Sequence, residues 1–308
     1  MNRLYRILCS LCFAMIFGLW LSPTAVAQTS GNSALDAEAY LSQAIEHIQH
    51  QHYSQALPAL NQAIKLDKTL AEAYNDRCYV SINIGDYSHA IKDCLQAIKL
   101  EPSRTNTYLH LGIAYYRNGD LSDAIAAYDY LLEHQPTAAL GYYNRGLAYA
   151  QLQQYSQAIA DYDQALYQTQ SLELPELANI YIDRGVAYLM NNQISDAVAN
   201  FSAAIHCDTN NPRAHYNLGC ACHRQGKTQV ALHEFTTTLD LNPDHALAYF
   251  NRAMIRQQQG LYAGAIADLE AACQCFTKQG NQTASQHTLA LMKQLQQWLH
   301  SNDFQIIA

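Results

Sequence analysis

The chain has 308 residues, of which 49% are hydrophobic and 14% are charged, and its formal net charge at pH 7 is −8. This composition predicts one or two packed domains and excludes an intrinsically disordered chain. The acidic balance argues against nucleic acid as a partner, because nucleic-acid binders carry a basic patch or stripe.

Residues 1–27 have the three parts of a secretory signal peptide. Arg3 and Arg6 give a basic start, an apolar run extends from Ile7 to Leu21, and Ala25-Val26-Ala27 forms a small-x-small cleavage site. An uncleaved N-terminal anchor is the alternative, but the apolar run is short for a membrane span. We expect an exported protein, located in a periplasm, a thylakoid-type lumen or the medium, with no stable membrane insertion after cleavage.

Residues 28–36 are polar and small, which predicts a flexible leader. From residue 37 onward the sequence repeats with a period of 34 residues, and this period predicts a solenoid of stacked supersecondary units. An alanine at position 20 anchors each copy, at Ala56, Ala90, Ala124, Ala158, Ala197, Ala231 and Ala265. The copies cover 37–70, 71–104, 105–138, 139–177, 178–211, 212–245 and 246–279, and the fourth carries a five-residue insertion near 171–175.

Each copy is predicted to form two helices joined by a turn. Position 4 is tyrosine in all copies but one, position 8 is always small, position 24 is mostly large, and glycines such as Gly85 and Gly119 mark the turn. Pro102, Pro136 and Pro243 end the second helix at position 32. This set of columns resembles the tetratricopeptide repeat (TPR), and the resemblance covers residues 37–277.

The resemblance implies an all-α fold, a right-handed superhelical solenoid of helix-turn-helix repeats. A terminal repeat needs a cap for its unpaired face. Residues 281–300 are predicted to form this C-terminal capping helix, because Leu289, Met292, Leu295 and Leu299 recur at three- and four-residue steps.

Position 7 is arginine in four copies, where the family usually has an apolar residue. Arginine there coincides with Asp or Asn at position 23 of the same copy. Two of these arginines could not pair with position 23 of the preceding copy, because that residue is alanine. We therefore expect each pair to bridge the two helices of one repeat. The alternative is an anionic ligand, which is disfavoured because an unpaired arginine among helices is costly. The pairs are Arg77 with Asp93, Arg145 with Asp161, Arg184 with Asn200, and Arg252 with Asp268.

The resemblance also implies a binding groove, since positions 2, 5, 6, 9, 12 and 13 of TPR first helices line a concave surface. Position 6 holds Asn144, Asn217 and Asn251, and such a ladder can hydrogen-bond the backbone of an extended peptide. Lysine is scarce in the groove, so a clamp for a C-terminal carboxylate is not expected, although Arg117, Arg213 and Arg224 could form a local basic patch. The groove residues are Asp76, Asn83, His110, Tyr116, Arg117, Tyr143, Asn144, Asp183, Tyr216, Asn217, Arg224, Phe250 and Asn251.

Seven cysteines lie beyond residue 27, an odd number that leaves at least one without an intrachain partner. Several occupy columns where alanine or glycine is usual, which indicates that most of the cysteines are small buried residues. Cys78 and Cys94 lie on facing helices of one repeat, so an exported chain could also join them in a disulfide. His47, His50 and His52 are the densest histidine cluster, but they run into a predicted turn without a well-placed third ligand, and we expect no metal site.

The sequence carries none of the common motifs for a serine nucleophile, a zinc protease, a phosphate-binding loop or a dinucleotide site. We therefore expect no catalysis and no cofactor. The resemblance implies a non-catalytic scaffold or assembly factor that binds a protein or peptide in the groove. Two alternatives are a module that binds an envelope glycan or another small ligand, and a regulatory subunit of an envelope enzyme.

Overall fold

The structure, a computed structural model, describes residues 27–168 and 174–306. All regular secondary structure in these two ranges is α-helical, and the predicted all-α class is confirmed. The helices are α1 (Ala27–Gln49), α2 (Tyr53–Leu66), α3 (Ala71–Asn83), α4 (Tyr87–Leu100), α5 (Thr105–Asn118), α6 (Leu121–His134), α7 (Ala139–Gln151), α8 (Tyr155–Tyr167), α9 (Leu174–Met190), α10 (Ile194–Cys207), α11 (Pro212–Arg224), α12 (Thr228–Leu241), α13 (Ala246–Gln258), α14 (Tyr262–Lys278) and α15 (Gln282–Ile306).

The structure differs from the sequence expectation near the N-terminus. Residues 28–36, predicted as a flexible leader, belong to α1. The stretch contains no proline, and Gly31 is its one strongly unfavourable residue for a helix. The predicted signal peptide, apart from Ala27, lies outside the described residues, as do residues 169–173 at the predicted insertion. Over the described ranges, no helix is long and apolar enough to cross a membrane.

The chain divides into two compact units, residues 1–69 and 70–308. In the described part of the first unit, α1 packs against α2. In the second unit each helix from α3 to α14 packs against the next helix in the chain. First helices of successive repeats also meet directly, α3 with α5, α5 with α7, α7 with α9, and α9 with α11. Stacking in chain order is the packing expected of tandem helical repeats.

The turn inside each repeat contains a residue in the left-handed conformation at position 15. Glycine tolerates this conformation because it has no Cβ, and it ends the first helix so that the chain can reverse. Copies without glycine use an amide residue in the same place. The residues are Gly85, Gly119, Gly226 and Gly260, with φ from 75° to 93°, and Gln51, Gln153 and Asn192, with φ from 58° to 61°.

The two helices of a repeat approach closely where position 8 is small and position 24 is large. A Cβ placed on Gly146 would lie 2.7 Å from Cε1 of the Tyr162 ring, and one on Gly185 would lie 2.6 Å from Cε1 of Phe201. Both rings are fully buried. The missing side chain at position 8 therefore makes the space that the ring at position 24 fills.

Repeat 2 has Cys78 and Cys94 at these same two positions. The two residues form a disulfide, with Cα atoms 5.4 Å apart, and both are fully buried. The sequence allows either two small buried residues or a disulfide at this pair, and the structure shows the disulfide. The free cysteines of the described chain are Cys207, Cys220, Cys222, Cys273 and Cys275.

The capping helix α15 packs against α14. Leu295 is buried in a cluster with Ala253, Ala265 and Leu269, and Met292 packs at its edge. Leu295 and Met292 belong to the apolar stripe that predicts a cap over 281–300. The observed helix continues beyond the predicted range and ends at Ile306.

Candidate functional site: the first-helix face

The arginines at position 7 contact the acceptor at position 23 of their own repeat. Arg145 donates from Nε to Asp161 Oδ2 at 2.8 Å and from Nη2 to Oδ1 at 2.6 Å. Arg77 makes the same two-bond contact with Asp93 at 2.7 Å and 2.7 Å. The remaining pairs are Arg252 with Asp268, at 3.0 and 2.7 Å, and Arg184 with Asn200, at 2.7 Å.

Three of these arginines also contact the second helix of the preceding repeat. Nη1 of Arg145 lies 2.6 Å from Asp129, Nη1 of Arg184 lies 2.5 Å from Asp163, and Nη1 of Arg252 donates to Thr236 at 3.0 Å. All three acceptors occupy position 25 of that repeat. Position 23 alone predicts the bridge within a repeat and not this inter-repeat contact, although a polar residue at position 25 before each of these three arginines is visible in the sequence.

Each of the four guanidinium groups also lies over the tyrosine ring at position 4 of its own repeat, with distances to the ring centroid of 5.4 to 5.6 Å. The hydrogen bonds to Asp93 raise the pKa of Arg77. We call this set of a position 7 arginine, a position 23 acceptor and a position 4 ring the arginine clasp. Because it engages the guanidinium within the scaffold, it argues against an anionic ligand at these arginines.

The residues expected in a groove lie on the first helices of the second unit. We call the surface formed by positions 2, 5, 6, 9, 12 and 13 of these helices the first-helix face. At its beginning, Asn75 Oδ1 accepts hydrogen bonds from Thr107 at 3.0 Å and from His110 Nδ1 at 3.1 Å, and Asn75 donates to Asp76 at 3.1 Å. Burial raises the pKa of Asp76 to about 6 and lowers the pKa of His110 to about 4.

A cavity of about 420 Å³ opens between α3 and α5 on this face. The His110 ring packs at its wall against Tyr79, with ring centroids 5.2 Å apart and the ring planes tilted by 43°. Among the arginines of the described chain, Arg117 alone has no hydrogen-bond acceptor, and its side chain is exposed. The cavity is lined by Tyr79, Ile82, Asn83, Tyr87, His110, Ile113 and Arg117, so it combines aromatic, aliphatic and donor groups without a carboxylate.

In the middle of the face, three successive repeats are joined through Asp183. Its carboxylate accepts a hydrogen bond from the Tyr143 hydroxyl at 2.7 Å and pairs with Arg213. Burial and the neighbouring carboxylate raise the pKa of Tyr143. Tyr116 from the repeat before lies within electrostatic reach of Asp183. The sequence places these residues on one face but does not predict that they contact each other.

Two buried hydroxyl groups adjoin this cluster. The side chains of Tyr128 and Tyr162 are fully buried, and their hydroxyls have no hydrogen-bond partner among the described residues. The Tyr162 ring lies 6.0 Å from that of Tyr143, which places it under the first-helix face. Hydroxyl groups in this position favour a nearby ordered water or a ligand atom, since burial without a partner is costly.

Towards the C-terminus the face becomes more aromatic. The Tyr216 ring lies 4.5 Å from His245, and its hydroxyl accepts a hydrogen bond from Asn251 at 3.1 Å. Phe250 lies 6.3 Å from His287 of the capping helix. Arg224 donates to the backbone of Leu189 at 3.1 Å, so it is not part of a free basic patch.

The predicted asparagine ladder is present, but its amide groups are already engaged. Asn144 donates to the carbonyl of Leu140 at 2.7 Å, and Asn217 donates to that of Arg213 at 2.9 Å. Each is a bond to the residue four positions earlier, which competes with any external partner. Asn83 is engaged in the same way by Tyr79. Each of these three amides keeps one N–H and its carbonyl oxygen for a partner, which is three of the four hydrogen bonds that an amide can make.

The histidine cluster of the first unit does not form a ligand set. The ring centroids of His47 and His52 are 6.3 Å apart, and those of His50 and His52 are 6.0 Å apart. Within the part of the chain that the structure describes, no three His, Cys, Asp or Glu side chains are grouped so as to hold a metal ion.

The stacked hairpins and the polar first-helix face define a tandem helical-repeat scaffold. Tetratricopeptide-repeat profiles match residues 71–104, 109–172, 185–226 and 224–279. The chain belongs to the tetratricopeptide-repeat family. No curated protein sequence matches it.

Solved structures show the same fold. A tetratricopeptide-repeat protein from Parabacteroides merdae is 17% identical with a TM-score of 0.63, and the match covers 83% of this chain and 99% of that one. PilF of Pseudomonas aeruginosa is 14% identical with a TM-score of 0.60, over 71% and 96% of the two chains. YrrB, described as a TPR protein with an unusual peptide-binding site, is 21% identical with a TM-score of 0.52, over 64% and 97%.

Membership of this family gives the function in general terms. Tetratricopeptide-repeat proteins bind proteins or peptides and are in general non-catalytic scaffolds, so the chain is a protein-interaction scaffold.

Proposed function

We propose that the chain binds an extended segment of a partner protein along the first-helix face, in the concave groove of the solenoid. The observation that carries this proposal is the series of side-chain contacts between neighbouring first helices. Asn75 reaches His110, Tyr143 reaches Asp183, and Tyr216 reaches Asn251. These contacts hold polar and aromatic groups in fixed positions along successive repeats.

The chemistry of the face suits a peptide backbone with aromatic or polar side chains. Asn144 and Asn217 each retain an N–H and a carbonyl oxygen, so they can pair with the N–H and C=O groups of an extended chain. Tyr143, Tyr216 and Phe250 are only partly buried and offer large contact areas. Preformed side chains reduce the entropy that binding would otherwise lose.

Selection of random twelve-residue peptides displayed on phage, with the full chain as bait, would test this proposal. We expect a common sequence pattern among the recovered peptides. Synthetic copies should bind the Phe250→Ala and Asn144→Ala variants at least about tenfold more weakly than the wild type. Tyr167→Ala is the matched control, because Tyr167 is 81% exposed and lies on the second helix α8. The proposal would be contradicted if Tyr167→Ala weakened peptide binding as much as the other two variants, or if the selection enriched no peptide.

We also propose that the protein is exported and acts as a scaffold or assembly factor in an envelope or lumenal compartment. Two features support this. The N-terminal sequence has the layout of a signal peptide, and the buried Cys78–Cys94 disulfide suits an oxidising compartment. Expression of the full chain in an exporting bacterium, followed by fractionation and intact mass measurement, would test this. The expected product lacks residues 1–27, whereas an intact cytoplasmic chain would contradict export.

A further inference from the structure

The cavity between α3 and α5 has room for an aromatic ring. Its volume of about 420 Å³ falls in the range of small-ligand sites. The tilted rings of Tyr79 and His110 form part of its wall, and Ile82 and Ile113 add aliphatic surface. Because aromatic rings pack on one another in offset or tilted arrangements, a further ring can lie against this wall.

The His110 ring at the wall is neutral and is held in one tautomer. The side chain of Asn75 donates to Asp76 through its amide nitrogen and accepts from Thr107 at Oδ1. The same oxygen lies 3.1 Å from Nδ1 of His110, so this nitrogen carries the proton. Burial lowers the pKa of His110 to about 4. The ring therefore adds aromatic surface to the cavity and no charge at neutral pH.

Arg117 is the one charged side chain among the residues that line this cavity. Its side chain is exposed, and its guanidinium has no hydrogen-bond acceptor among the described residues. The hydroxyls of Tyr116 and Tyr128 lie within its electrostatic reach, and burial raises the pKa of both, so they stay neutral. A guanidinium matches a carboxylate through two parallel hydrogen bonds. The cavity thus places an unpaired cation beside the space for a ring.

The same column of the repeat contains an arginine in a different state. Arg224 occupies position 13 of repeat 6, as Arg117 does in repeat 3. Arg224 donates to the carbonyl of Leu189 at 3.1 Å and to the side chain of Asn192 at 3.2 Å. One arginine of this column is therefore bound within the scaffold, and the other is available to a partner.

We propose that this cavity binds an aromatic side chain of the partner segment, and that Arg117 binds an acidic side chain of the same segment. Residues i and i+2 of an extended chain lie on the same side, so the ring and the carboxylate should be two residues apart. This inference rests on the proposed function, because it names the part of a partner segment that the beginning of the first-helix face selects.

NMR of the full chain with ¹³C-labelled isoleucine methyl groups tests the cavity, because Ile82 and Ile113 line it. The probe is 3-phenylpropionate, which carries one ring and one carboxylate. We expect its ring to shift the methyl signals of these two residues and to leave those of Ile182 and Ile255, which are buried in later repeats, unchanged. The uncharged 3-phenylpropanamide should bind about fivefold more weakly, because it cannot form an ion pair with Arg117.

Arg117→Gln should remove this difference between the acid and the amide. The variant should fold normally, because Arg117 is exposed. Arg224→Gln is the matched control from the same column and should keep the difference. The proposal would be overturned if neither probe shifted the two methyl signals, if the acid and the amide bound equally to the wild type, or if both variants behaved alike.

Peptides with blocked ends test the occupant. Ala-Ala-Phe-Ala-Asp-Ala-Ala should shift the Ile82 and Ile113 signals, and the same peptide with Asn in place of Asp should bind about fivefold more weakly. A peptide ending in a free Phe carboxylate provides the comparison with a chain terminus. Binding of this terminal peptide without binding of the internal one would overturn the assignment to an acidic side chain.

The same methyl signals separate this inference from the proposed function. If phage-selected peptides bind in a way that depends on Phe250 and Asn144 but leave Ile82 and Ile113 unshifted, the inference fails and the proposed function stands. If the aromatic-acidic peptide shifts both signals while the selection enriches no peptide, the cavity site stands and binding along the whole face fails.

Discussion

Asp161 illustrates how much a single residue contributes to the stability of a repeat. Its carboxylate is buried and faces the guanidinium of Arg145, which is itself 19% exposed. Removing one partner of a buried ion pair costs the fold much more stability than replacing both partners with a well-packed apolar pair. Repeat 3 already contains such an apolar pair, Leu111 with Ala127. The chain therefore supplies its own reference for the arginine clasp.

Asp161→Ala is expected to lower the free energy of unfolding by about 2 kcal/mol. This loss is smaller than that for breaking a fully buried ion pair, because Arg145 still donates a hydrogen bond to Asp129. The double variant Arg145→Leu with Asp161→Ala copies repeat 3 and should recover most of this loss. Denaturant unfolding of both variants measures the difference. If the double variant is as unstable as the single one, the unpaired charge is not the cause.

The carboxyl of Asp76 should make stability depend on pH in an unusual direction. Its pKa in the folded protein is about 6, above the ordinary 3.8, because burial disfavours the charged form. The native state therefore gains stability relative to the unfolded chain as pH falls from above 6 towards 4. Asp76→Asn should be more stable than the wild type by about 1 kcal/mol at pH 7.5, and this difference should disappear near pH 4.

His110 provides the opposing control. In the folded protein its pKa of about 4 is below the ordinary 6.5. Its contribution to the stability of the native state is therefore complete above pH 6.5 and is lost as pH falls through 4. His110→Gln should therefore match the wild type at pH 7.5 and lose less stability than the wild type between pH 6 and pH 4. Thermal unfolding across this range measures both variants, and parallel pH profiles for all three proteins would contradict these assignments.

At the scale of the helical hairpin, the fit between positions 8 and 24 determines how closely two helices pack. Gly146 leaves room for the Tyr162 ring, while repeat 7 solves the same problem with Ala253 and Leu269. Repeat 2 uses a disulfide. The sequence predicts the small residue and the large residue from their columns. It leaves the disulfide open, because the distance between two cysteines depends on backbone geometry that a repeat pattern does not specify.

Gly146→Ala should destabilise the protein by about 2 kcal/mol, although alanine normally favours a helix over glycine by about 1 kcal/mol. The new methyl group meets the Tyr162 ring. On a Tyr162→Leu background, which copies repeat 7, the same change should be neutral or stabilising. A double-mutant cycle measured by denaturant unfolding gives the coupling directly. Equal effects on both backgrounds would show that the close contact does not limit packing.

Reduction of the Cys78–Cys94 bond should lower the free energy of unfolding by about 3 kcal/mol, the value expected for a loop of about fifteen residues. The bond joins residues 16 apart. The variant Cys78→Ala with Cys94→Leu copies the pairs of repeats 1 and 7, so it should fold and should not respond to dithiothreitol. Thermal unfolding with and without the reductant measures both proteins. A response that persists in the variant would have to come from another cysteine.

At the scale of the whole molecule, the fold could be predicted from the sequence because its information is periodic and local. A 34-residue rhythm specifies hairpins, turns and a cap independently of long-range contacts. The networks of the first-helix face could not be predicted, since the contact of Tyr143 with Asp183 depends on the offset between neighbouring helices. The contacts of the position 7 arginines could be predicted in part. The acceptor at position 23 follows from co-occurrence within a repeat, whereas Asp129, which Arg145 also contacts, belongs to the repeat before.

The close packing of positions 8 and 24 has a consequence for how such a chain can change its length. The repeats use three kinds of matched volumes, and Gly with Tyr or Phe, Ala with Leu, and Cys with Cys are not interchangeable halves. A genetic exchange that joins two copies at their boundaries keeps every matched set together. A crossover inside the turn between copies of different kinds would join the first helix of one to the second helix of the other and leave either a void or a collision. Duplication and loss should therefore proceed by complete copies.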